Sequence, residues 1–408
     1  MRKDLDRLME KRGLDALVVS GSTYGNPSLV YLLKGADVSQ GIVVKKRGEE
    51  AVFIHATIER DEARATGLPL IDIARYGFVE ILKEKGNRLA ATVELYRRIF
   101  ADLEVRGRVG FYGADDPGRA YVFLRALDDA LPDIEVVGEY ERSVLTVARE
   151  TKDADEIAQI QEIAQQTCEV MAATVEYLRR HRVRDGVLVT DDGAPLTVGS
   201  VKQHILRLLA ERRLEDPEGM IFAIGHDAGV PHSKGRPDDP IRLGQTIVYD
   251  LFPRRPRGYF FDVTRTFCLG YAPPEVERAY RDVADCLDAV VAEAGVGVEA
   301  RRLQQVACAF LEERGHPSIA SDPQVKEGFV HLIGHGLGLS IHESPSFYDV
   351  PTNGQTLQPG HVFTVEPGVY YPDRGYGVRL EDVIWIDEEG EVHNLTDLPK
   401  RLVVEMGG

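Results

Sequence analysis

Cysteine is scarce in this chain of 408 residues, and the four that are present have no short paired spacing. Cys168, Cys286 and Cys308 lie in segments with helical periodicity, and Cys268 lies near the end of an apolar, strand-like segment. Disulfide frameworks and structural zinc sites are typically built from closely spaced cysteines. We therefore expect four reduced, mostly buried thiols.

Long apolar runs are also missing. No run approaches the roughly 20 residues that a helix needs to cross a bilayer. Residues 1–10 are charged and amphipathic, without the apolar region of a signal peptide. These two absences predict a soluble, cytoplasmic protein with no membrane partner.

Positive charge is in short supply, with 49 Lys and Arg against 66 Asp and Glu and a net charge of -17. This balance argues against a nucleic-acid partner, because such partners require basic surfaces. The acidic excess lies almost entirely after residue 148, which favours cation binding in that part of the chain.

The length predicts two domains of α/β class, with the boundary placed at residues 148 and 149. In 1–148, helical and strand patterns alternate, and no phosphate-cradling glycine loop is present. Helical patterns cover 3–12, 87–100 and 119–130. Strand patterns cover 16–20, 41–45, 51–55 and 108–112, of which the middle two read as a hairpin.

The second domain, 149–408, shows one weak pattern twice: two helices followed by strands. Its first helix begins near Lys152, where Asp153 and Glu156 form a plausible capping pair. The first pass covers helices at 153–181 and 200–214, then strands at 219–225, 246–252 and 258–268. The second covers helices at 274–294 and 299–314, then strands at 329–334, 361–366 and 376–386. We infer a pseudo-twofold α/β domain with its site on the symmetry axis.

Each pass ends in apolar strand segments that contain two carboxylates: Asp250 and Asp262 in the first, Glu366 and Glu381 in the second. A carboxylate buried in such a strand is costly unless it is paired or binds a metal ion. Buried ion pairs with arginine are the structural alternative, but few basic residues lie in these segments.

Strand alternation places two further polar residues beside the carboxylates. Thr264 shares a face with Asp262, so we expect it to hydrogen-bond a ligand carboxylate. Arg379 shares a face with Glu381, so we expect it to neutralise or orient that group.

Histidines are concentrated between the two carboxylate pairs, with His331, His335 and His342 inside twelve residues. A single histidine in a glycine-rich strand is more often structural, but this cluster beside four acids indicates a site. Four carboxylates and one imidazole form a hard, oxygen-rich ligand set that suits two divalent metals sharing bridging carboxylates. Such a pair of ions supports hydrolysis.

Five motifs carry a resemblance to the pita-bread metallopeptidases of family M24, the clan of methionine aminopeptidase, aminopeptidase P and prolidase. They are Asp-Val-Thr-Arg-Thr at 262–266, Gly-His-Gly-Leu-Gly at 334–338, His-Glu at 342–343, Val-Glu-Pro-Gly at 365–368 and Val-Arg-Leu-Glu-Asp at 378–382. The resemblance is strong over about 150–400. Residues 1–148 resemble the creatinase/prolidase N-terminal domain more loosely, which separates the chain from methionine aminopeptidases.

The resemblance implies five metal ligands. Asp250 would chelate one ion, His335 and Glu366 would bind the other, and Asp262 and Glu381 would bridge them. Manganese is the expected ion, with cobalt or zinc as alternatives.

The resemblance also implies catalytic roles. His232 looks like a substrate-side histidine, although as a residue in a loop it is as readily a histidine without a role. His342 would contact the peptide carbonyl and its tetrahedral intermediate, and Glu366 would be the general base. His331 and Arg379 match auxiliary positions beside the substrate.

One departure from the family pattern follows the first ligand, where Asp250 is succeeded by Leu251-Phe252-Pro253. The next residues form a basic segment, 253–258, which reads as an exposed hairpin tip and which borders the expected cleft. This departure leaves the substrate preference open and does not affect the metal ligands.

The expected function is hydrolysis of the N-terminal Xaa-Pro bond of a dipeptide or short peptide, by a homodimer. The first alternative is an Xaa-Pro aminopeptidase that acts on longer peptides. The second is a non-peptidase hydrolase or lyase, or an inactive binding protein on the same fold. The complete ligand set argues against the inactive protein.

Overall fold

The structure, a computed structural model, describes residues 4–407, so Lys3 at the predicted start of the first helix lies outside the described residues. The chain forms two compact units, one ending at Arg149 and the other beginning at Glu150. Within the described residues, none of the helices combines the length and the apolar character that a membrane crossing requires.

The first unit is built around a six-stranded mixed sheet. Its helices are α1 (Leu5–Arg12), α2 (Pro27–Leu32), α3 (Arg60–Arg64), α4 (Phe78–Lys85), α5 (Arg88–Asp102) and α6 (Pro117–Ala130), and α7 (Val144–Glu150) leads into the second unit. Its strands are β1 (Ala16–Ser22), β2 (Gln40–Lys46), β3 (Val52–His55), β4 (Leu70–Asp72), β5 (Gly107–Gly113) and β6 (Ile134–Val137). The sheet order is β4-β3-β2-β1-β5-β6, and the antiparallel pair β2–β3 confirms the predicted hairpin.

The second unit contains four long helices: α8 (Ala154–Arg179), α9 (Val198–Glu211), α10 (Pro274–Glu293) and α11 (Ala300–Glu313). Its first strands are β7 (Arg182–Arg184), β8 (Val187–Val189), β9 (Ile221–Ile224), β10 (Thr246–Leu251) and β11 (Val263–Leu269). The later ones are β12 (His335–Gly336), β13 (Glu343–Ser346), β14 (Val362–Val365), β15 (Gly368–Tyr371), β16 (Tyr376–Arg379), β17 (Asp382–Ile386), β18 (Val392–Asn394) and β19 (Val403–Val404).

The strands of the second unit form two main sheets. The first has the order β19-β11-β10-β9 and the second has the order β13-β12-β14-β17-β18. The pairs β15–β16 and β7–β8 stand as separate two-stranded sheets. Each main sheet follows a pair of long helices in the chain, which is the repeat that the sequence pattern predicts.

Helix α8 begins as its sequence predicts. The Asp153 carboxylate accepts a hydrogen bond from the Glu156 amide (3.2 Å), and the Glu156 carboxylate accepts one from the Asp153 amide (3.0 Å). This reciprocal capping box satisfies two amides that would otherwise lack helical partners. It fixes the first turn of the helix beside the segment 150–153.

A continuous apolar core supports the second main sheet. Val283 and Leu287 of α10 and Leu303 of α11 are buried together with Phe363 of β14 and Ile384 of β17. Burying one such side chain contributes about 1.5–3 kcal/mol. This packing fixes β14 and β17, and with them the carboxylates at their ends.

The four cysteines are all free and buried, which confirms the predicted reduced thiols. Burial raises the pKa of the Cys286 thiol to about 12 and thereby removes the thiolate that redox or metal chemistry would use.

Three predicted strands differ from the structure. The segment 329–334 forms no strand. The Phe329 amide donates to the Pro317 carbonyl (2.8 Å), the Ile333 amide donates to Gln304 Oε1 (2.6 Å), and the His335 amide just beyond the segment donates to Thr364 Oγ1 (3.1 Å). Gly334 also lies so close to Thr364 that a Cβ there would meet its carbonyl oxygen at 2.0 Å.

The other two differences concern strand ends beside the carboxylates. The predicted strand 258–268 begins only at Val263, because the Phe260 amide donates to the Gly338 carbonyl (2.8 Å). The predicted strand 376–386 breaks in two, because the Glu381 amide donates across to the Thr264 carbonyl (3.1 Å). Asp262 and Glu381 therefore lie at strand ends and not inside strands.

Candidate metal centre

The five predicted ligands converge on one place in the second unit. Asp250 lies in β10, Asp262 directly precedes β11, His335 begins β12, Glu366 directly follows β14, and Glu381 separates β16 from β17. Strands of the two main sheets thus deliver their polar ends to a common centre. The arrangement depends on register, since Asp250 pairs with Thr264 across the β10–β11 ladder.

Distances show how closely the ligand atoms approach each other. One ligand atom from each of Asp262, His335 and Glu381 lies within 4.8 Å of the others. His335 Nε2 lies 3.5 Å from Asp262 Oδ2 and 3.7 Å from Glu366 Oε1. Imidazole and carboxylate groups at this separation can share one cation.

Burial disfavours the deprotonated, charged form of the carboxyl groups of Asp262, Glu381 and Glu366. Burial, followed by the charge of Asp250, raises the pKa of Asp262 well above its ordinary value. Burial, followed by Asp262, does the same for the pKa of Glu381. Burial also raises the pKa of Glu366 to about 7. Deprotonated carboxylates this close together require a counter-cation.

Three oxygen atoms in the cluster show that a divalent metal would fit. Asp250 Oδ1, Asp262 Oδ1 and Glu381 Oε1 are buried and, among the described residues, have no hydrogen-bond partner. Unpaired buried oxygens are rare in folded proteins and each one is costly. An oxygen-rich set of this kind matches hard divalent cations, and His335 adds one nitrogen ligand.

His335 is oriented to offer that nitrogen. Its Nδ1 lies 3.1 Å from the Gly336 carbonyl oxygen, so Nδ1 carries the proton and donates. Nε2, which faces Asp262 and Glu366, is then left with its lone pair. A backbone carbonyl that fixes the tautomer in this way is typical of histidines that bind metal.

Arg379 makes its direct ion pair with Asp250, and it reaches Glu381, which the sequence predicts it to neutralise or orient, only through the hydroxyl of Thr264. Its Nη2 lies 2.6 Å from Asp250 Oδ2 and its Nε donates to Thr264 Oγ1 at 3.0 Å. The chain turns away after Arg379, at the end of β16, so the assumed strand face shared with Glu381 does not exist. This is a buried ion pair with arginine, the structural alternative to metal binding, but it uses only one oxygen of one carboxylate.

Thr264 does hydrogen-bond a ligand carboxylate, as predicted. Its hydroxyl donates to Glu381 Oε2 at 2.8 Å while it accepts from the Arg379 guanidinium. Arg379 and Thr264 therefore occupy one oxygen of Asp250 and one of Glu381. The partnerless oxygen of each carboxylate remains for a cation.

The Tyr370 hydroxyl, which the sequence did not single out, links His331 to Arg379 by hydrogen bonds. His331 Nδ1 lies 2.7 Å from the Leu332 carbonyl oxygen, so Nε2 accepts from the Tyr370 hydroxyl at 2.9 Å. Tyr370 in turn accepts from Arg379 Nη1 at 2.8 Å. The only signal for Tyr370 in the sequence is a hydroxyl within an apolar strand segment, which is too common to select it.

The histidines around the centre are held neutral. Burial, followed by the positive charge of Arg379, lowers the pKa of His331 to about 3. Burial, followed by His335, lowers the pKa of His342 to about 4. The His342 ring packs edge to face against the His335 ring, with centroids 4.3 Å apart. A neutral imidazole can either donate or accept a hydrogen bond near neutral pH.

A cavity of about 740 Å³ opens above this centre. All nine residues singled out in the sequence line it: His232, Asp250, Asp262, His331, His335, His342, Glu366, Arg379 and Glu381. His232 is exposed, and Arg379 Nη1 donates to the neighbouring Pro231 carbonyl at 3.3 Å. The cavity is large enough for a short peptide.

The basic segment 253–258 differs from the predicted exposed tip. Arg254 Nε donates to Glu215 Oε1 at 2.7 Å, and its guanidinium stacks 5.2 Å from the Phe260 ring centroid. Arg255 pairs with Glu162. These contacts hold the segment partly buried. Of the three residues that depart from the family pattern, Leu251, Phe252 and Pro253, it is Phe252 that lines the cavity.

The chain is similar to known proteins in both sequence and structure. The sequence model described as "Metallopeptidase family M24" matches residues 158–388, more than half of the chain. The protein named "Probable dipeptidase PepE" of Mycobacterium tuberculosis is 34% identical over 185 residues, which are 45% of this chain and 46% of that protein. The matched stretch thus spans about half the length of this relative.

Two further proteins match nearly the whole chain. The Xaa-Pro dipeptidase of Pyrococcus furiosus is 26% identical over 398 residues, covering 96% of this chain and 97% of its own. The crystal structure of X-Pro aminopeptidase from Thermotoga maritima superposes with a TM-score of 0.75 at 23% identity, covering 98% of this chain and all of the other. At this identity, the structural likeness establishes the fold.

Proposed function

Because the chain belongs to metallopeptidase family M24, we propose that it hydrolyses the Xaa-Pro bond at the N-terminus of dipeptides or short peptides. One observation carries the proposal. Three partnerless carboxylate oxygens, from Asp250, Asp262 and Glu381, lie with His335 in the floor of a peptide-sized cavity. Such a floor suits a metal-assisted hydrolase better than a binding protein, in which unpaired acids would only be costly.

Five residues would hold two divalent ions, for which we propose manganese. Asp250 would bind one ion, His335 and Glu366 the other, and Asp262 and Glu381 both. When bound, the ions supply Lewis-acid assistance to amide hydrolysis near neutral pH. All five side chains line the same cavity, and His335 presents Nε2 with its lone pair.

Glu366 is the proposed proton acceptor for the attacking water. Its carboxylate lies 3.7 Å from His335 Nε2, and its side chain retains more exposure to the cavity than Asp262 does. In the metal-free chain, burial raises the pKa of Glu366 to about 7.

Histidines that line the cavity would orient the substrate. His342, beside His335, would contact the scissile carbonyl and the tetrahedral intermediate, and His232 at the open side would contact the peptide. His331 is held by Tyr370 and Arg379. A ring fixed in this way can present one defined face to a proline side chain. Positioning of this kind accounts for large rate factors in peptide hydrolysis.

The preference for proline is taken from relatives, including the Xaa-Pro dipeptidase of P. furiosus. Proline gives a tertiary amide with a fixed ring, so its bond requires a site of matching shape. The fold is shared with an X-Pro aminopeptidase, which makes cleavage of longer Xaa-Pro peptides the second candidate. Lys234 at the cavity favours the dipeptidase, because an exposed cation suits the free carboxylate of a dipeptide.

The test is an assay with defined metals and three peptides. Metal-stripped protein is supplied with manganese, cobalt or zinc and offered Ala-Pro, Ala-Pro-Ala and Ala-Ala. The proposal predicts metal-dependent cleavage of a proline peptide and little cleavage of Ala-Ala. If neither Ala-Pro nor Ala-Pro-Ala is cleaved with any of the three metals, the proposal is refuted. Faster cleavage of Ala-Pro-Ala than of Ala-Pro would instead favour the aminopeptidase.

The bridging roles have a separate test. Asp262→Ala and Glu381→Ala should lose both activity and metal, measured as metal content per chain after dialysis. Full activity in either variant would contradict the assignment. We also propose that the protein is a homodimer, which sedimentation velocity at micromolar concentration tests directly.

A further inference from the structure

A buried ion pair lies beside the candidate metal centre, outside the predicted ligand set. Lys152 Nζ lies 3.3 Å from Glu343 Oε2, and the two side chains are only 1% and 3% exposed. Replacing a buried ion pair by apolar side chains is often neutral or stabilising, so the pair is a poor device for stability alone. Its location next to His342 suggests a different use.

Lys152 is fixed by its own backbone. Its amide donates to the Gly360 carbonyl at 2.7 Å. The preceding residue, Thr151, forms an isolated antiparallel β-bridge with His361, the residue just before β14. Its ammonium also donates to the Glu150 carbonyl at 3.3 Å. The capped start of α8 follows immediately. The ammonium group is therefore presented from a rigid part of the fold.

Glu343 connects Lys152 to the turn that contains His342. While Oε2 meets Lys152, Oε1 accepts from the Ser340 amide at 3.0 Å. One carboxylate thus closes the turn 340–343, and His342 is the residue just before it in the chain. Gly338 makes room for the carboxylate, since a Cβ there would lie 2.3 Å from Glu343 Oε2.

The same turn is coupled to the metal ligands. The Gly338 carbonyl accepts from the Phe260 amide at 2.8 Å, two residues before Asp262. The His342 ring packs against His335 at 4.3 Å. A shift of the turn would therefore move the His342 ring relative to the cavity floor. Displacements of about 1 Å at a reacting group can cost about 100-fold in rate.

We propose that Lys152 and Glu343 are positioning residues that hold His342 in its catalytic orientation. This proposal rests on the proposed function, in which His342 contacts the scissile carbonyl. Lys152 does not line the cavity and acts through Glu343 and His342, whereas Glu343 also lines the cavity beside His342. It follows that the effect of losing Lys152 depends on whether His342 is present.

A double-mutant cycle in the metal-loaded protein tests this dependence. Lys152→Met should lower kcat for Ala-Pro about 30–100-fold while KM stays within about threefold. In a His342→Ala background, the same substitution should lower kcat by less than about threefold, because the residue it positions is gone. An equal loss in both backgrounds would overturn the proposal.

Companion variants separate orientation from folding. Lys152→Met combined with Glu343→Gln leaves no unpaired charge, so it should fold and still show the kcat loss of the single variant. Lys152→Arg keeps the charge and should recover kcat to within about tenfold of the unaltered protein. Lys45→Met is the matched control, because Lys45 is a buried lysine paired with Asp6 in the first unit. It should leave kcat unchanged.

A measurement without substrate distinguishes failure of this proposal from failure of the proposed function. Histidine ring resonances of the metal-free protein, recorded by ¹H–¹⁵N NMR, should shift for His342 in Lys152→Met. Those of His393, which stacks on Trp385 and bonds Asp387 at the surface, should stay in place. Unchanged His342 signals would refute the positioning role whether or not the protein cleaves Ala-Pro. Shifted signals without any cleavage in the unaltered protein would refute the proposed function alone.

Discussion

Arg379 Nη2 lies 2.6 Å from Asp250 Oδ2, deep in the second unit. The same guanidinium reaches Glu381 indirectly, because its Nε donates to Thr264 Oγ1 and that hydroxyl donates to Glu381 Oε2. Arg379 and Thr264 together thus occupy one oxygen on each of two carboxylates. The other two oxygens, Asp250 Oδ1 and Glu381 Oε1, have no hydrogen-bond partner among residues 4–407 and are the atoms we assign to metal.

Thr264→Val tests the link between Arg379 and Glu381. Valine keeps the shape of threonine but leaves both Arg379 Nε and Glu381 Oε2 without a partner. We expect metal affinity to fall about 10–100-fold, as is usual when a group that orients a metal ligand is lost. Isothermal titration with manganese measures it.

Thr266→Val is the matched control, because the Thr266 hydroxyl bonds only the backbone of Arg379. It should cost about 1–3 kcal/mol of stability, similar to the cost in Thr264→Val. Its metal affinity should remain within about threefold of the unaltered protein. Equal affinity losses in the two variants would show that the hydroxyl of Thr264 orients no ligand.

Arg379→Met should strongly destabilise the metal-free protein. It leaves the Asp250 carboxylate buried without its partner, and breaking a buried pair in this way costs about 3–5 kcal/mol. The free energy of unfolding from urea titration measures the change. Combining it with Asp250→Asn should recover part of the loss, whereas further destabilisation by the second substitution would contradict the pairing.

Stability of the metal-free protein should fall as pH rises from about 4.5, the ordinary pKa of Glu366, to about 7, its raised pKa in the folded chain. The pKa values of Asp262, Glu381 and Glu366 are raised in the folded chain, the last to about 7. Such groups contribute stability below their ordinary pKa, and the contribution is lost as pH rises through the raised value. Urea denaturation at several pH values, with and without manganese, checks this.

Metal-loaded protein should not show this loss, because the cations stabilise the deprotonated carboxylates. Metal binding near neutral pH should therefore release protons, which titration in buffers of different ionisation enthalpy detects. Glu381→Gln should flatten the pH dependence of the metal-free protein. A metal-free protein whose stability rises steadily from about pH 5 to about pH 7 would contradict the assigned pKa shifts.

Lys234→Ala should selectively weaken the binding of dipeptides. The exposed ammonium at the cavity would attract the C-terminal carboxylate of Ala-Pro, and exposed charge pairs contribute up to about 1 kcal/mol. We expect KM for Ala-Pro to rise about threefold to fivefold, while KM for the uncharged Ala-Pro amide stays the same. A parallel rise for both peptides would show that Lys234 does not read the carboxylate.

Local rules predicted the helices well. The Asp153–Glu156 capping box, the hairpin β2–β3 and the free, buried thiols all follow from short-range patterns, and the structure confirms them. The four acids among the five proposed ligands stand out because acids are costly in apolar segments. That cost is a property of composition and needs no knowledge of the fold.

The errors occurred where distant segments compete for backbone groups. The strand predicted at 376–386 breaks at Glu381 because its amide bonds the Thr264 carbonyl. In the segment 329–334, the Ile333 amide donates to the side chain of Gln304, and the His335 amide just beyond it donates to the side chain of Thr364. Neither amide is used in a strand ladder. Periodicity within a segment carries no information about such partners.

The amino-acid sequence by itself determined the proposed donor set: four acids and a histidine, with the acids in apolar segments where burial without a cation is unfavourable. Only the tertiary structure decided how they are arranged. Arg379 reaches Asp250 across 129 residues of chain, Thr264 reaches Glu381 across 117, and Lys152 reaches Glu343 across 191. Contacts over such separations depend on the register and packing of whole strands, whereas the donor types depend only on which residues occur.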